Sequence, residues 1–117
     1  MSQEDKDLLL KDLCARLPYG VKLQWARDII TLNENWLQLL YKHPEDAKPY
    51  LRPMSSMTEE EHNEYSNLYQ SVYYKDSPTE LDLSNIIDFL NTHHFDFRGL
   101  IPMGLALEAP EGMYKTE

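Results

Sequence analysis

The 117-residue chain holds one cysteine, four glycines and only 11 Lys and Arg against 20 Asp and Glu. A lone Cys14 excludes an intrachain disulfide framework and a cysteine-rich zinc site. The shortage of cations leaves a formal net charge of -9 and a pI near 4.8. That balance argues against a general nucleic-acid binder, which needs Lys and Arg to displace phosphate counterions. No apolar run approaches the roughly 20 residues that span a bilayer. The opening, MSQEDKDLLL, is acidic where a signal peptide would be basic, so the expected setting is cytoplasmic with no membrane contact. What is present suffices for a core: 42% of residues are apolar, and the length is that of one domain. A single domain over 1–117 is expected, with 111–117 free to fray.

The charge is unevenly placed. Residues 1–55 carry eight basic and eight acidic side chains, whereas 56–117 carry Lys75, Arg98 and Lys115 against twelve acidic groups. The whole excess therefore lies in the second half, a field that steers toward a basic partner and repels nucleic acid. Many of these carboxylates stand where helices should start, and there they favour the helix dipole without any partner.

Hydrophobic spacing predicts the elements. Leu9, Leu10, Leu13, Cys14 and Leu17 make one stripe of a helix over 3–17, ended by Pro18 and Gly20. Cys14 on that stripe is expected to be an inert buried thiol. Val21, Leu23 and Trp25 alternate with Lys22 and Gln24, so 20–33 reads as a hairpin. Residues 36–41, WLQLLY, fit a third strand or a short helix equally well. Pro44, Pro49 and Pro53 forbid one long helix over 42–56, leaving a helical turn near Glu45–Lys48 and then an extended packed loop. Thr58 and Glu61 form a capping box before a stripe of Tyr65, Leu68, Tyr69, Val72 and Tyr73, expected to line the core. Tyr74 and Tyr50 are expected at the surface. A second helix over 82–93 should bury Leu83, Ile86, Ile87, Phe89 and Leu90, and the tail should wrap irregularly over the core. Strands clustered early beside several helices, without βαβ alternation, indicate an α+β fold: an N-terminal helix, a short antiparallel hairpin or three-stranded sheet, then two main helices.

The chemistry-bearing residues concentrate in NTHHFDFRG. His93 and His94 beside Asp96 and Arg98 are the candidates for general-base catalysis, in which a carboxylate orients a histidine. With no complete catalytic set beside them, the expected reading is structural, one histidine partnering the helix C-terminus and the other packing half-buried. No metal is expected, because adjacent histidines on a helix diverge by about 100° and no H-x-x-x-H is present. Gly99 and Gly104 are not followed by Lys-Ser or Lys-Thr, so no phosphate loop and no cofactor is expected. Arg52, in the rigid loop PYLRPM, either binds an anion or clamps the loop to a carboxylate of the following helix. Candidate binding residues are thus Arg52 and Arg98, the acidic helix face of Glu59, Glu60 and Glu64, and Tyr74.

Three stretches together, KDLCARLPYGVK at 11–22, KPYLRPMSSMTEEE at 48–61 and HHFDFRGLIPMGLALEAPEGMY at 93–114, resemble a family of small uncharacterised proteins. These are encoded by gut Bacteroides-type bacteria and by their phages and mobile elements. The family has no assigned activity, so no residue role transfers. The resemblance implies a bacterial or phage cytosolic setting, and a role for 48–58 and 93–110 in the fold or the shared function.

Two readings follow. In the first, the chain is a non-enzymatic protein-binding or regulatory accessory protein using its acidic face, in a sharper form as a mimic of nucleic acid. The alternative is a small enzyme or anionic-ligand binder using His93, His94, Asp96 and Arg98 with Arg52, which requires these groups to converge on one concave site. The sequence neither suggests nor excludes an oligomer.

Overall fold

The computed structural model describes residues 2–43, 46–74, 77 and 79–114. It begins with helix α1 (Gln3–Arg16), whose start is set by the Ser2 hydroxyl accepting from the Asp5 N–H at 3.1 Å. A 3-10 turn at Leu17–Tyr19 closes it, and Gly20 takes the left-handed conformation (φ 68°) that an L side chain adopts at a cost. The next residues form the expected hairpin: β1 (Lys22–Trp25) pairs antiparallel with β2 (Asp28–Thr31) from Lys22 opposite Thr31 to Trp25 opposite Asp28. Asn33 then accepts from the Asn35 N–H at 2.9 Å and starts α2 (Glu34–Lys42), so 36–41 is helix. Leu40 turns into the core, and Trp36 meets Trp25 with ring centres 5.9 Å apart.

The proline-punctuated segment holds a strand rather than a loop. β3 (Ala47–Leu51) pairs antiparallel with β1, and Ala47, Pro49 and Leu51 point inward in strict alternation. Of the expected helical turn, Glu45 lies outside the described residues and Ala47 and Lys48 are strand. The tail supplies a partner for β3 as well: β4 (Leu107–Glu108) runs parallel to it, opposite Tyr50 and Leu51. The sheet order is β2-β1-β3-β4. Because β4 begins only opposite Tyr50, β3 is an edge at Pro49, the setting in which a strand tolerates proline. Just beyond β3, the Arg52 N–H donates to the His94 carbonyl and the Asp96 N–H to the Arg52 carbonyl, both at 2.8 Å. The chain after the last helix is thereby stitched to the end of the sheet.

Two helices complete the α+β fold. α3 (Glu59–Tyr73) and α4 (Glu80–Thr92) both start in reciprocal capping boxes, Thr58 with Glu61 and Thr79 with Asp82. They pack side by side as a helical hairpin, Tyr65 against Phe89 at 6.0 Å. Among the described residues, no helix is long and apolar enough to cross a membrane.

Burial divides into two clusters. The larger gathers Leu9, Leu13, Val21, Leu23, Leu32, Leu40, Ala47, Leu51, Leu100, Leu105 and Ala106 between α1, α2, the sheet and the tail. The smaller has Phe89, Leu90 and Phe95 at its centre, with Tyr65, Leu68, Ile86 and Phe97 packed around. Several expectations are corrected here. The buried side of α1 is Leu9, Asp12, Leu13 and Arg16, a stripe rotated from the all-apolar one, and Cys14 is exposed. The rotation follows from Asp12 and Arg16, four residues apart, pairing at 2.8 Å and entering the interior together. Tyr69 and Tyr73 of the α3 stripe, and Leu83 and Ile87 of α4, are exposed rather than core. Two packed helices shield only the strip where they touch, and among the described residues no further layer covers their outer edges.

Candidate functional site

The histidine cluster arises from how α4 ends. The His94 N–H bonds the Asn91 carbonyl at 3.1 Å and the Phe95 N–H bonds the Leu90 carbonyl at 2.9 Å. This is the Schellman ending, whose left-handed position is usually glycine. Here it is His94, at φ 62°. The strain of a non-glycine residue there is offset by what its ring does. The imidazole is buried and stacks on Tyr114, with ring centres 3.8 Å apart and planes 20° from parallel. Tyr114 in turn donates its hydroxyl proton to the Tyr50 carbonyl at 2.7 Å and accepts from the Lys22 N–H at 2.8 Å. The tail is therefore pinned to two strands by one side chain. Burial, reinforced by Arg16, His93, Arg52 and Lys22, pushes the His94 pKa down to about 4. Burial lifts the Tyr114 hydroxyl to about 12.

His93 faces elsewhere. Its Nδ1 lies 3.1 Å from Glu61 Oε2, and its ring sits against Phe89 at 4.7 Å. Glu61 is the hub of this corner. Arg52 forks onto both of its oxygens at 2.7 Å, and the Thr58 N–H donates to Oε1 at 2.9 Å. The hydrogen bond from Arg52 is the main reason its pKa falls to about 2, against the opposing effect of burial. Arg52 also donates to the Ser56 carbonyl at 3.0 Å and lies over the Phe95 ring at 4.4 Å. Of the two roles open to Arg52, the geometry is that of the clamp onto the following helix.

Asp96 orients neither histidine. Its two oxygens accept from the Leu100 and Ile101 N–H groups at 2.8 and 2.9 Å, closing the turn that contains Gly99. Arg98 lies over Phe97 at 4.6 Å and approaches the buried Asp12 at 3.7 Å. Asp12 and Arg16 are fully buried, and Arg16 donates to the Phe95 carbonyl at 2.7 Å. The five groups invoked for catalysis or anion binding thus separate into three structural tasks: His93 with Arg52 on Glu61, His94 under Tyr114, and Asp96 and Arg98 holding the 96–101 turn and the α1 pair. Among the described residues, no three His, Cys, Asp or Glu are placed to hold one metal ion.

The cavity beside Arg52, of about 460 Å³, joins residues 52–58 to 108–114 rather than to the histidines. Its charged lining is Arg52, already satisfied by Glu61, together with Glu108 and Glu111. Among the described residues, an anion placed there would meet two carboxylates and no free cation.

The remaining candidates lie on α3. Glu59, Glu60 and Glu64 are exposed at its start. Tyr65, Tyr69 and Tyr73 follow as a ladder with successive ring centres 6.4 and 6.0 Å apart, and Tyr74 adds an edge-on contact at 5.0 Å. Tyr69, Tyr73 and Tyr74 are 51%, 68% and 77% exposed. α3 and α4 together contain seven carboxylates, four and three respectively, and no Lys or Arg. The ladder itself was readable in the sequence as a tyrosine stripe; its exposure was not. Comparison with protein-family models, curated proteins and solved structures finds no match to this chain.

Proposed function

We propose that this chain is a non-enzymatic binding module that engages a basic protein partner through α3. The observation that carries the reading is the exposed tyrosine ladder beside Glu59, Glu60 and Glu64, on a pair of helices that contain no Lys or Arg. Tyrosine suits such a surface because it buries apolar area at little conformational cost and keeps a polar tip. The carboxylates add long-range attraction for a cationic partner and reject anionic ones. The catalytic alternative loses its support because His93, His94, Asp96 and Arg98 are each engaged in holding the fold. A bacterial or phage origin rests on the sequence resemblance alone, and a cytoplasmic setting on that resemblance and the acidic opening of the chain.

The test is affinity recovery of partners from a Bacteroides lysate by the wild-type chain, by Tyr69→Ala/Tyr73→Ala and by Glu59→Lys/Glu60→Lys/Glu64→Lys. A partner retained by the wild type at 50 mM salt, lost at 500 mM and lost with both variants is expected. Recovery of the same proteins by all three chains, or binding indifferent to salt, overturns the reading. If the partner is instead a nucleic-acid-binding protein released by added DNA, the acidic face acts as a nucleic-acid mimic.

A further inference from the structure

A second surface shares no residue with α3 or α4. Along the seam of α1 and α2 runs an apolar groove of about 590 Å³, lined by Asp7, Leu10, Lys11 and Cys14 from α1 and Gln38, Tyr41 and Lys42 from α2. The volume is within the range of ordinary small-ligand sites, about 300–1,000 Å³. The groove exists because α1 turns Asp12 and Arg16 inward. That rotation leaves Leu10 half-buried at the edge of the core and brings Cys14 to the surface. Tyr41, 76% exposed, forms part of the other wall.

The charged groups that line the groove are two lysines and one aspartate. Lys11 and Lys42 border it, and among the described residues neither ammonium has an ion-pair or hydrogen-bond partner. The single lining carboxylate, Asp7, accepts from the Gln3 side-chain amide at 2.9 Å. Of the other cations, Arg16 and Arg52 are held by Asp12 and Glu61 and Arg98 approaches Asp12, while the side chains of Lys6, Lys22, Arg27 and Lys48 have no ion pair among the described residues and do not line the groove. Two unpaired cations thus flank an apolar trough in a chain of net charge -9.

We propose that the α1–α2 groove binds an amphiphile with an aliphatic body and one anionic head, a fatty-acid-like carboxylate. The body lies along Leu10, Cys14 and Tyr41, and the head pairs with Lys11 and Lys42. Long lysine stems suit this arrangement, since they lie along apolar surface while their ammonium groups reach out to the head. A cationic or uncharged amphiphile gains the apolar contact but not the head pairing.

Cys14 is the chain's only cysteine and lines the groove, so its alkylation by a maleimide reports occupancy directly. Laurate, kept below its micellar concentration, is expected to slow that alkylation at least tenfold at saturation. Lengthening from decanoate to laurate is expected to tighten binding, by up to about fourfold per methylene for complete burial. Dodecanol and dodecyltrimethylammonium are expected to protect at least tenfold less well. The variant Lys11→Glu/Lys42→Glu, changed only at exposed positions, should lose the preference for laurate over dodecanol. Tyr41→Ser should weaken both ligands alike. An alkylation rate indifferent to laurate overturns the proposal, as does equal protection by the cationic amphiphile. So does light scattering that shows a dimer whose dissociation alone exposes Cys14, because a second copy would then be the occupant. None of these outcomes bears on α3, so this proposal and the partner-binding reading fail independently.

Discussion

The leucine-rich body and the aromatic hairpin are built from the same chain on different terms. The body closes a mixed sheet against α1, α2 and the tail, and eleven apolar residues there are buried to 4% exposure or less. The hairpin centres on three buried residues, Phe89, Leu90 and Phe95, and leaves Tyr69, Tyr73, Leu81, Leu83 and Ile87 open to solvent. What the hairpin lacks in apolar burial it replaces with directed contacts to the body. Arg52 reaches from the end of β3 to Glu61 on α3, and Arg16 reaches from α1 to the carbonyl of Phe95. The contrast is one of cover: the body encloses most of the buried apolar side chains, whereas the hairpin is attached to it by a few directed contacts and keeps an accessible outer face.

The sharpest way to break this division is at Arg16. Replacing it by Met strands the buried Asp12 carboxylate and removes the link to Phe95, and a loss of about 3–5 kcal/mol is expected in urea unfolding. A cost below about 1 kcal/mol would show that the buried pair does not join the two regions. Next in size is the hub on α3. Glu61→Gln should cost about 2–3 kcal/mol at pH 7, and the pH dependence has a definite sign. The folded pKa of Glu61, about 2, lies below its ordinary 4.5, so its contribution is complete above pH 4.5 and is lost as pH falls toward 2. The variant should lack that acid limb in chemical unfolding followed from pH 5 to pH 2.

His94 acts in a higher pH window. The unfolded chain protonates this residue near 6.5, whereas the folded chain resists until about 4. Its contribution is therefore complete above pH 6.5 and declines through pH 4, with about 2 kcal/mol at stake. His94→Asn, which tolerates the left-handed backbone, should flatten the stability profile between pH 6.5 and 4. An unchanged slope would locate the acid sensitivity elsewhere. The smallest effect is expected at the ladder. Tyr73→Ala should shift stability by no more than about 0.5 kcal/mol while abolishing partner binding. A large loss of stability would mean that the hairpin needs its tyrosines as core. Native-state hydrogen exchange compares the regions directly, and the amides of α3 and α4 should open at lower free energy than those of β1 and β3.

Much of the local architecture was legible in the residues. Thr58 with Glu61, and the turn between Val21 and Leu32, are short-range signals in which neighbouring side chains and backbone groups satisfy one another, and each appears where expected. Arg52 as a clamp was legible for a similar reason, because the nearest surplus carboxylates begin seven residues on. The strand Ala47–Leu51 was obscured by its prolines. Whether Pro49 is tolerated depends on where β4 begins, and β4 comes from residues more than fifty positions away. How the histidine cluster divides was hidden for the same kind of reason. NTHHFDFRG places His93, His94 and Asp96 together in sequence, yet the Schellman ending turns each toward a different partner.

The scarcity of cations noted at the outset takes on a definite shape in three dimensions. Residue pattern alone was enough for the α+β class, the capping box that starts α3, the acidity of the second half and the absence of a cysteine-based framework, because these depend on composition and on contacts within a few residues. Only the tertiary structure decided which polar groups are engaged and which surfaces are open. Asp12 and Arg16 became interior by pairing, Cys14 and the tyrosine ladder became exterior, and Lys11 and Lys42 came to border an apolar groove without ion-pair partners among the described residues. Such outcomes follow from how elements distant in the chain cover one another, and periodicity within one element cannot specify what will lie against it.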